Sequence, residues 1–350
     1  MIQKNTCKIA VVGATGNVGR TMLSILAERK FPLNNIIAVA SEQSAGRPIS
    51  YGEQGVLTVV PLSSFDFSTC HLALFSPGGK VSAEYAPKAA AAGCLVIDNT
   101  SHFRMHKDIP LVVPEINPQA LANCRQQNII ANPNCSTIQL VMALKPLHDQ
   151  ARIKRVVVST YQSVSGAGKE AMDELYHQTK GVLVNDPALP NRFSKPIAFN
   201  VIPQIDIFME DGSTKEEWKM VMETQKILDS AIQVTATCVR VPVFMGHSVA
   251  AAVEFHQDLS VAKARQVLRQ TKGLSVVDNP QDYQFITPIE CAGEDDVYVS
   301  RLRQDKTVPH GLSLWIVADN IRKGAALNAV QIAEYILAKG FLNRVYSKAS

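Results

Sequence analysis

Seven cysteines occur in the chain (Cys7, Cys70, Cys94, Cys124, Cys135, Cys238, Cys291), yet no two stand in a Cys-x-x-Cys pair. An odd number without that spacing argues against a disulfide framework and against a zinc site, so no metal is expected and most of these thiols read as reduced core residues. No apolar run approaches the roughly eighteen residues of a membrane-spanning helix. Met1 to Lys8 is too short and polar for a signal peptide, so a cytoplasmic protein without a membrane partner is expected. Charge of one sign is nowhere concentrated: 35 basic and 31 acidic residues are interspersed, for a net charge of +4. That pattern gives no nucleic-acid footprint and leaves room only for a local anion site. Internal repeats and low-complexity tracts are lacking as well. What is present is 350 residues, 46% hydrophobic and 19% charged, enough for two domains with full cores.

The N-terminal third alternates strand and helix signals. Lys8 to Val12 is a short apolar run that ends in Gly13-Ala14-Thr15-Gly16-Asn17-Val18-Gly19; Met22, Leu23, Leu26 and Ala27 then mark a helix, and Ile36 to Ala40 reads as a second strand. This is a βαβ unit. Further strands are expected at Leu72 to Phe75, Leu95 to Ile97 and Ile129 to Ala131, with a helix at Val81 to Ala92, giving a doubly wound parallel sheet. Beyond Cys135 the pattern changes. Arg155 to Tyr161 is a strand, Lys169 to Lys180 a polar helix, and Asp186 to Pro203 an extended connection with a functional or subunit-facing role. Thr214 to Asp229 is helical, with Thr214 and Glu217 in capping-box spacing. Thr235 to Val241 and Ser248 to Phe255 read as an antiparallel pair, followed by a helix at Val261 to Thr271 and strands at Val297 to Arg303 and Leu312 to Ala318. The fold expected is α/β: a Rossmann-like dinucleotide-binding domain (1–133 and 319–350, the last helix Ala325 to Lys339 returning to it) and an α+β catalytic and dimerisation domain (134–318) with one open, largely antiparallel or mixed sheet.

Several residues carry chemistry. Gly13-x-x-Gly16-x-x-Gly19 between a strand and a helix lets backbone approach a pyrophosphate at the helix N-terminus, although glycines there also serve tight packing. In Asn132-Pro133-Asn134-Cys135-Ser136-Thr137, the strand before and the helix after put Cys135 in a first turn, with Asn134 as N-cap. Uncapped N–H groups and the helix dipole there favour a thiolate. Arg104 follows a strand whose end faces the expected cofactor crevice and suits a phosphate or carboxylate; a solvated surface charge is the plainer reading. Alternation puts Arg240 on one face with Cys238 and Ala236, an unusual place for a charge, and His247 opens the next strand as a candidate general base. An edge-strand arginine and a structural histidine are the alternatives.

Together the Gly13 to Gly19 turn, Asn132 to Thr137, Tyr161 to Gly168, Glu216-Glu217-Trp218-Lys219, Arg240-Val241-Pro242 with His247-Ser248, and Asp319 to Ala326 resemble the aspartate-β-semialdehyde dehydrogenase family over nearly the whole chain. The resemblance implies NADPH-dependent reduction of L-aspartyl-4-phosphate to L-aspartate-4-semialdehyde with release of phosphate, on the route to lysine, methionine and threonine. It implies a homodimer, with a tetramer left open. By the same resemblance Cys135 is the nucleophile that forms a thioester, Gln162 orients it, and His247 is the acid/base. Arg240 holds the substrate α-carboxylate and Glu216 its amino group, with Glu217 open as the alternative. Arg104, Lys219 and Asn134 bind phosphate. NADP is held by Gly13, Thr15, Gly16, Asn17, Val18, Ser41, Ser44, Ser165, Gly166 and Asn320. Backbone N–H groups just after Cys135 are the expected oxyanion donors.

One segment departs from the family pattern. Where relatives carry an arginine that reads the 2′-phosphate, this chain has Gln43 preceded by Glu42, so discrimination against NAD is expected to be weakened. Competing readings are N-acetyl-γ-glutamyl-phosphate reductase, which has Pro-Gly-Cys in place of Pro133-Asn134-Cys135, and a non-catalytic nucleotide-binding paralogue.

Overall fold

The computed structural model describes residues 2–186 and 188–342, which form two compact units. The first runs to Pro133 and resumes at Ala325; the second is Asn134–Gly324. The parts of the expected segments that fall on Met1, Pro187 and 343–350 lie outside the described residues.

In the first unit, β1 (Ile9–Val12) is buried throughout, as an apolar run between two helical layers must be. It leads through the glycine turn into α1 (Asn17–Glu28), which turns Met22, Leu23, Ile25 and Leu26 inward. Then follow β2 (Ile36–Ala40), a small ribbon of β3 (Pro48–Ser50) and β4 (Val56–Thr58), β5 (Val60–Pro61), β6 (Leu72–Phe75), α2 (Gly79–Ala91), β7 (Leu95–Asp98) and β8 (Ile129–Ala131). The main sheet has the order β5-β2-β1-β6-β7-β8, and every pairing in it is parallel. Strand order therefore reverses between β1 and β6, which opens a crevice at their carboxyl ends, where doubly wound sheets bind ligands. Gly13 sits there, directly after β1.

The second unit begins with α3 (Cys135–Ala151) and continues through β9 (Ile153–Gln162), α4 (Lys169–Leu183), α5 (Lys215–Ile227), β10 (Gln233–Arg240), β11 (His247–Phe255), α6 (Val261–Arg269), β12 (Leu274–Val276), α7 (Pro288–Cys291), β13 (Val297–Asp305) and β14 (Gly311–Ala318). Its sheet is mixed, in the order β10-β9-β11-β14-β13-β12, with parallel pairs at both ends. The expected antiparallel pairing of β10 with β11 does not occur, because β9 lies between them, parallel to β10 and antiparallel to β11. Six residues from Val241 to Gly246 span the ~10 Å between strands once removed with ease, so the connection steps over the end of β9. It is fastened there as Val241 N donates to Gln162 O and Val164 N to Val243 O.

Asp319 to Gly324 stay with the second unit rather than with the first, since Asp319 accepts from the N–H groups of Gly293, Ile321 and Arg322. The chain then passes through a π turn, Arg322–Ala326, into α8 (Leu327–Ala338). Leu327, Val330, Ile332, Ala333 and Ile336 of α8 join Leu23, Leu26, Leu74 and Ile97 in the core of the first unit.

Candidate active site

Cys135 is the first residue of α3 and the one half-buried thiol among seven free cysteines; the other six are buried. Asn134 is extended (φ −61°, ψ 145°), and its Oδ1 accepts from Ser136 N at 2.9 Å and Thr137 N at 3.2 Å. The N-cap expectation holds, with a consequence for the chemistry. Those two N–H groups, expected to serve an oxyanion, are already taken by the capping side chain, and Ile138 N goes to Asn134 O. Gly324 lies close by, where a Cβ would come within 2.9 Å of Cys135 Cβ.

Helix α5 supplies the charged floor of the site. Thr214 and Glu217 form the capping box, Glu217 Oε2 accepting from Thr214 N while its Oε1 accepts from Cys238 N at 2.9 Å. Glu217 is thereby committed to the helix start and to β10. Glu216, one position on, points into the site: Oε1 accepts from Asn134 Nδ2 (2.8 Å) and Gln162 Nε2 (3.1 Å), and Oε2 from Lys219 Nζ (3.1 Å). Burial pushes the Glu216 carboxyl up, but the Lys219 charge and these three hydrogen bonds outweigh it and hold it at about 2. Lys219 also reaches Asp206 Oδ2 at 2.8 Å. Burial opposes its charge, yet Glu216 and Asp206 raise its pKa on balance.

Gln162 ends β9, its Oε1 accepting from Thr160 Oγ1 at 3.0 Å. Arg240 ends β10 beside it, in register with Gln162, and is buried; Nη1 donates to Ser163 O at 2.7 Å, one of five N–H groups the guanidinium carries. His247 opens β11 and is fully buried. Its Nδ1 accepts from Ser163 N at 3.0 Å. A backbone N–H can only donate, so Nδ1 is bare and the proton of the neutral ring is on Nε2. Nε2 itself is buried without a hydrogen-bond partner. It shares a small space with Arg240, since a Cβ on Gly166 would lie 3.0 Å from His247 Nε2 and 3.1 Å from Arg240 Nη1. Burial first, then the Arg240 charge, lower the His247 pKa to about 3 against the opposing pull of Glu216 and Gly246.

Asn320 follows β14, and its Oδ1 accepts from Ser163 Oγ, Ser165 Oγ and Gly246 N, at 3.0–3.1 Å, while Nδ2 donates to Ser165 Oγ at 3.0 Å. Expected as cofactor contacts, Asn320 and Ser165 are thus engaged in pinning the Ser163 to Gly166 turn. Glu223 escaped the sequence reading altogether: buried on α5, its Oε2 accepts from Asn134 N at 2.6 Å. Its signal was available, since Glu216 and Glu223 are seven residues apart and share a helix face.

The remaining expected residues belong to the first unit. Gly13 has φ +83°, and a Cβ there would lie 2.6 Å from Ser76 O; one on Gly19 would lie 2.1 Å from Gly13 O. Gly16 caps α1 with no side-chain hydrogen bond and is exposed, with Thr15, Asn17 and Val18 half-buried around it. This bare turn at the reversal of strand order fits the pyrophosphate of a dinucleotide. Ser41 is exposed and Ser44 half-buried just past β2. Arg104 is buried, with Nε donating to Asn132 O and Nη2 to Asn99 O. Among the described residues no group of three or more His, Cys, Asp or Glu side chains is placed to hold a metal.

A dinucleotide turn in one unit, and a cysteine with buried ionic partners on a mixed sheet in the other, define a nucleotide-dependent oxidoreductase. Family patterns match in the same order: semialdehyde dehydrogenase, NAD binding domain, over residues 8–124, and semialdehyde dehydrogenase, dimerisation domain, over 144–323. The chain belongs to that family. The relatives specify the member, an aspartate-semialdehyde dehydrogenase of the aspartate pathway. The chain is 50% identical to the aspartate-semialdehyde dehydrogenase of Aquifex aeolicus over 96% of this chain and 99% of that one. It is 52% identical to aspartate-semialdehyde dehydrogenase 2 of Vibrio cholerae, covering 95% and 98%. The crystal structure of the Vibrio cholerae enzyme superposes with a TM-score of 0.92 at 52% identity, covering 95% of this chain and 98% of that one. That of the Candida albicans enzyme with NADP reaches 0.74 at 25% identity, covering 95% and 99%.

Proposed function

We propose that the enzyme reduces L-aspartyl-4-phosphate to L-aspartate-4-semialdehyde with NADPH, through a thioester on Cys135. The observation that carries this reading is the cluster around Asn134 and Cys135: a half-exposed thiol at a helix start, with Glu216, Gln162, Arg240 and His247 on the elements beside it. Related structures determined with aspartate semialdehyde and with NADP support the substrate and the cofactor.

Cys135 Sγ attacks the acyl carbon, the bond from carbon to phosphate oxygen breaks, and phosphate leaves with the electron pair. The nicotinamide, when bound, supplies the hydride that reduces the thioester carbonyl. Collapse then breaks the C–S bond, returns its electron pair to sulfur and re-forms C=O as the aldehyde. Arg240, with four N–H groups beyond the one given to Ser163, pairs the α-carboxylate, and Glu216 keeps an acceptor position on Oε2 for the ammonium. Its ionisation down to about pH 2 keeps that charge at every working pH. His247 acts as a neutral hydrogen-bond donor: its one proton is on Nε2 and faces the space beside Arg240, so it stabilises the oxyanion of each tetrahedral intermediate without giving up or abstracting a proton. Arg104 and Lys219 are assigned to the phosphate. Ser41 and Ser44 are assigned to the 2′-phosphate, with Glu42 turned to Ser63, whose hydroxyl it accepts.

The test is phosphate-dependent reduction of NADP by aspartate semialdehyde, followed by nicotinamide absorbance. Activity should vanish in Cys135→Ala while the protein still folds. Activity that survives, or a preference for N-acetylglutamate semialdehyde, would overturn the assignment.

A further inference from the structure

Glu223 is a buried carboxylate, 1% exposed, that the proposed reaction does not use. On α5 it lies two turns beyond Glu216, with Lys219 between them on the same face. Both carboxylates close on one residue. Glu216 accepts from the side chain of Asn134 and Glu223 from its backbone N–H, at 2.8 and 2.6 Å. Asn134 is buried, and its N–H precedes the helix, so α3 offers that group no partner. With the side chain held by Glu216 and the backbone by Glu223, Asn134 keeps the extended conformation in which Oδ1 caps Ser136 and Thr137. The next residue in the chain is Cys135.

We propose that Glu223 is a positioning residue for the nucleophile: by accepting the Asn134 N–H it fixes the cap of α3 and thereby the place of Cys135 Sγ. The inference rests on the reading of Cys135 as nucleophile. A charged acceptor makes a shorter and stronger bond than a neutral one, which suits a residue that has to hold backbone in place. It also adds a negative charge near the thiol. The other charged or titratable groups about this corner are Glu216, Glu217 and Lys219 of α5, Asp206 on Lys219, Lys226 beside Glu223, Cys238 and Arg240 of β10, and neutral His247 of β11.

The experiment compares the parent homodimer with Glu223→Gln and Glu223→Ala by kcat, by KM for aspartate semialdehyde, by thermal midpoint, and by the pH profile of Cys135 alkylation with iodoacetamide. In Glu223→Gln an acceptor remains and a charge is lost, so the alkylation profile moves to lower pH while kcat stays within about fivefold of the parent. In Glu223→Ala the cap loosens, kcat falls about 10- to 100-fold and KM stays within about threefold, at temperatures well below the midpoint. An unchanged kcat in Glu223→Ala, or an alkylation profile that stays in place in both variants, overturns the proposal. So does parental kcat per folded subunit in a Glu223→Ala preparation that is only partly unfolded. Should Glu223→Ala fail to fold, the alkylation profile of Glu223→Gln decides alone. Alkylation of Cys135 that leaves parental turnover intact would instead sink the nucleophile reading, which keeps the two failures apart.

Discussion

His247 makes stability depend on pH on the acid side of neutrality. In the unfolded chain the imidazole takes up a proton near its ordinary 6.5, whereas in the fold burial and Arg240 hold it unprotonated down to about 3. Between those values the unfolded state binds more protons, so stability rises with pH and is lost as pH falls. At pH 5 the unfolded ring is 1.5 units below its ordinary value and the folded ring still neutral, which at ~1.36 kcal/mol per unit gives a loss of about 2 kcal/mol relative to pH 8. Glu216 does not interfere, since its depressed pKa withdraws stability only below its ordinary value of 4.5. The assay is urea unfolding of the parent and His247→Asn at pH 8 and pH 5, at one subunit concentration because association contributes to stability. The substitution should look about 2 kcal/mol more favourable at pH 5 than at pH 8. An equal effect at both pH values would refute the burial argument. A kinetic limb near pH 6.5 that disappears in His247→Asn would refute the assignment of His247 as a neutral donor.

Three further outcomes are expected. Gly13→Ala places a Cβ 2.6 Å from Ser76 O at φ +83°, so KM for NADPH should rise at least about tenfold while the alkylation rate of Cys135 in the free enzyme is unchanged; an unaltered KM would remove the turn from the cofactor site. Gly324→Ala drives a Cβ to 2.9 Å from that of Cys135, and kcat should fall about 10- to 100-fold in steady-state assays, whereas parental kcat would mean that the nucleophile tolerates displacement. With Gln43 and Glu42 in place of an arginine, the ratio of kcat/KM for NADPH over NADH should be smaller than in an arginine-bearing relative; a strong NADPH preference abolished only by changing Gln43 or Glu42 would count against this.

Local signals were legible because local physics sets them. The β1, glycine turn, α1 and β2 unit, the Asn134 cap and the Thr214 to Glu217 box each depend on residues a few positions apart. The choice between the two adjacent glutamates was open in the sequence, and the structure commits the Glu217 carboxylate to Thr214 N and Cys238 N while Glu216 meets Asn134, Gln162 and Lys219. Partner identity was not legible. Alternation shows that 235–241 and 248–255 are strands, but it says nothing about β9 entering between them, since period two is the same for either neighbour. The competition for N–H groups was implicit in the Asn134 cap, since a capping side chain takes N–H groups of the first turn. What stayed hidden is that Glu216 holds the Asn134 side chain from another helix.

That competition decides how the site divides its work. A helix start serves as an oxyanion hole when its N–H groups point at solvent or ligand, but here the side chain that builds the helix consumes those of Ser136 and Thr137. The proposed mechanism therefore separates two tasks that are often combined. Asn134, gripped by Glu216 and Glu223, caps the start of α3 and, as proposed above, sets the thiol. In the proposed mechanism electrophilic assistance passes to His247, whose tautomer is decided by a backbone N–H that cannot reverse its polarity. Such a donor stays neutral across the working pH range, so it adds no repulsion to Arg240 and takes no proton from water before the substrate arrives. A histidine with both nitrogens exposed would titrate near 6.5 and surrender that constancy. On the proposed mechanism the Ser163 to Gly166 turn, pinned by Asn320, matters to the chemistry as much as the imidazole it orients.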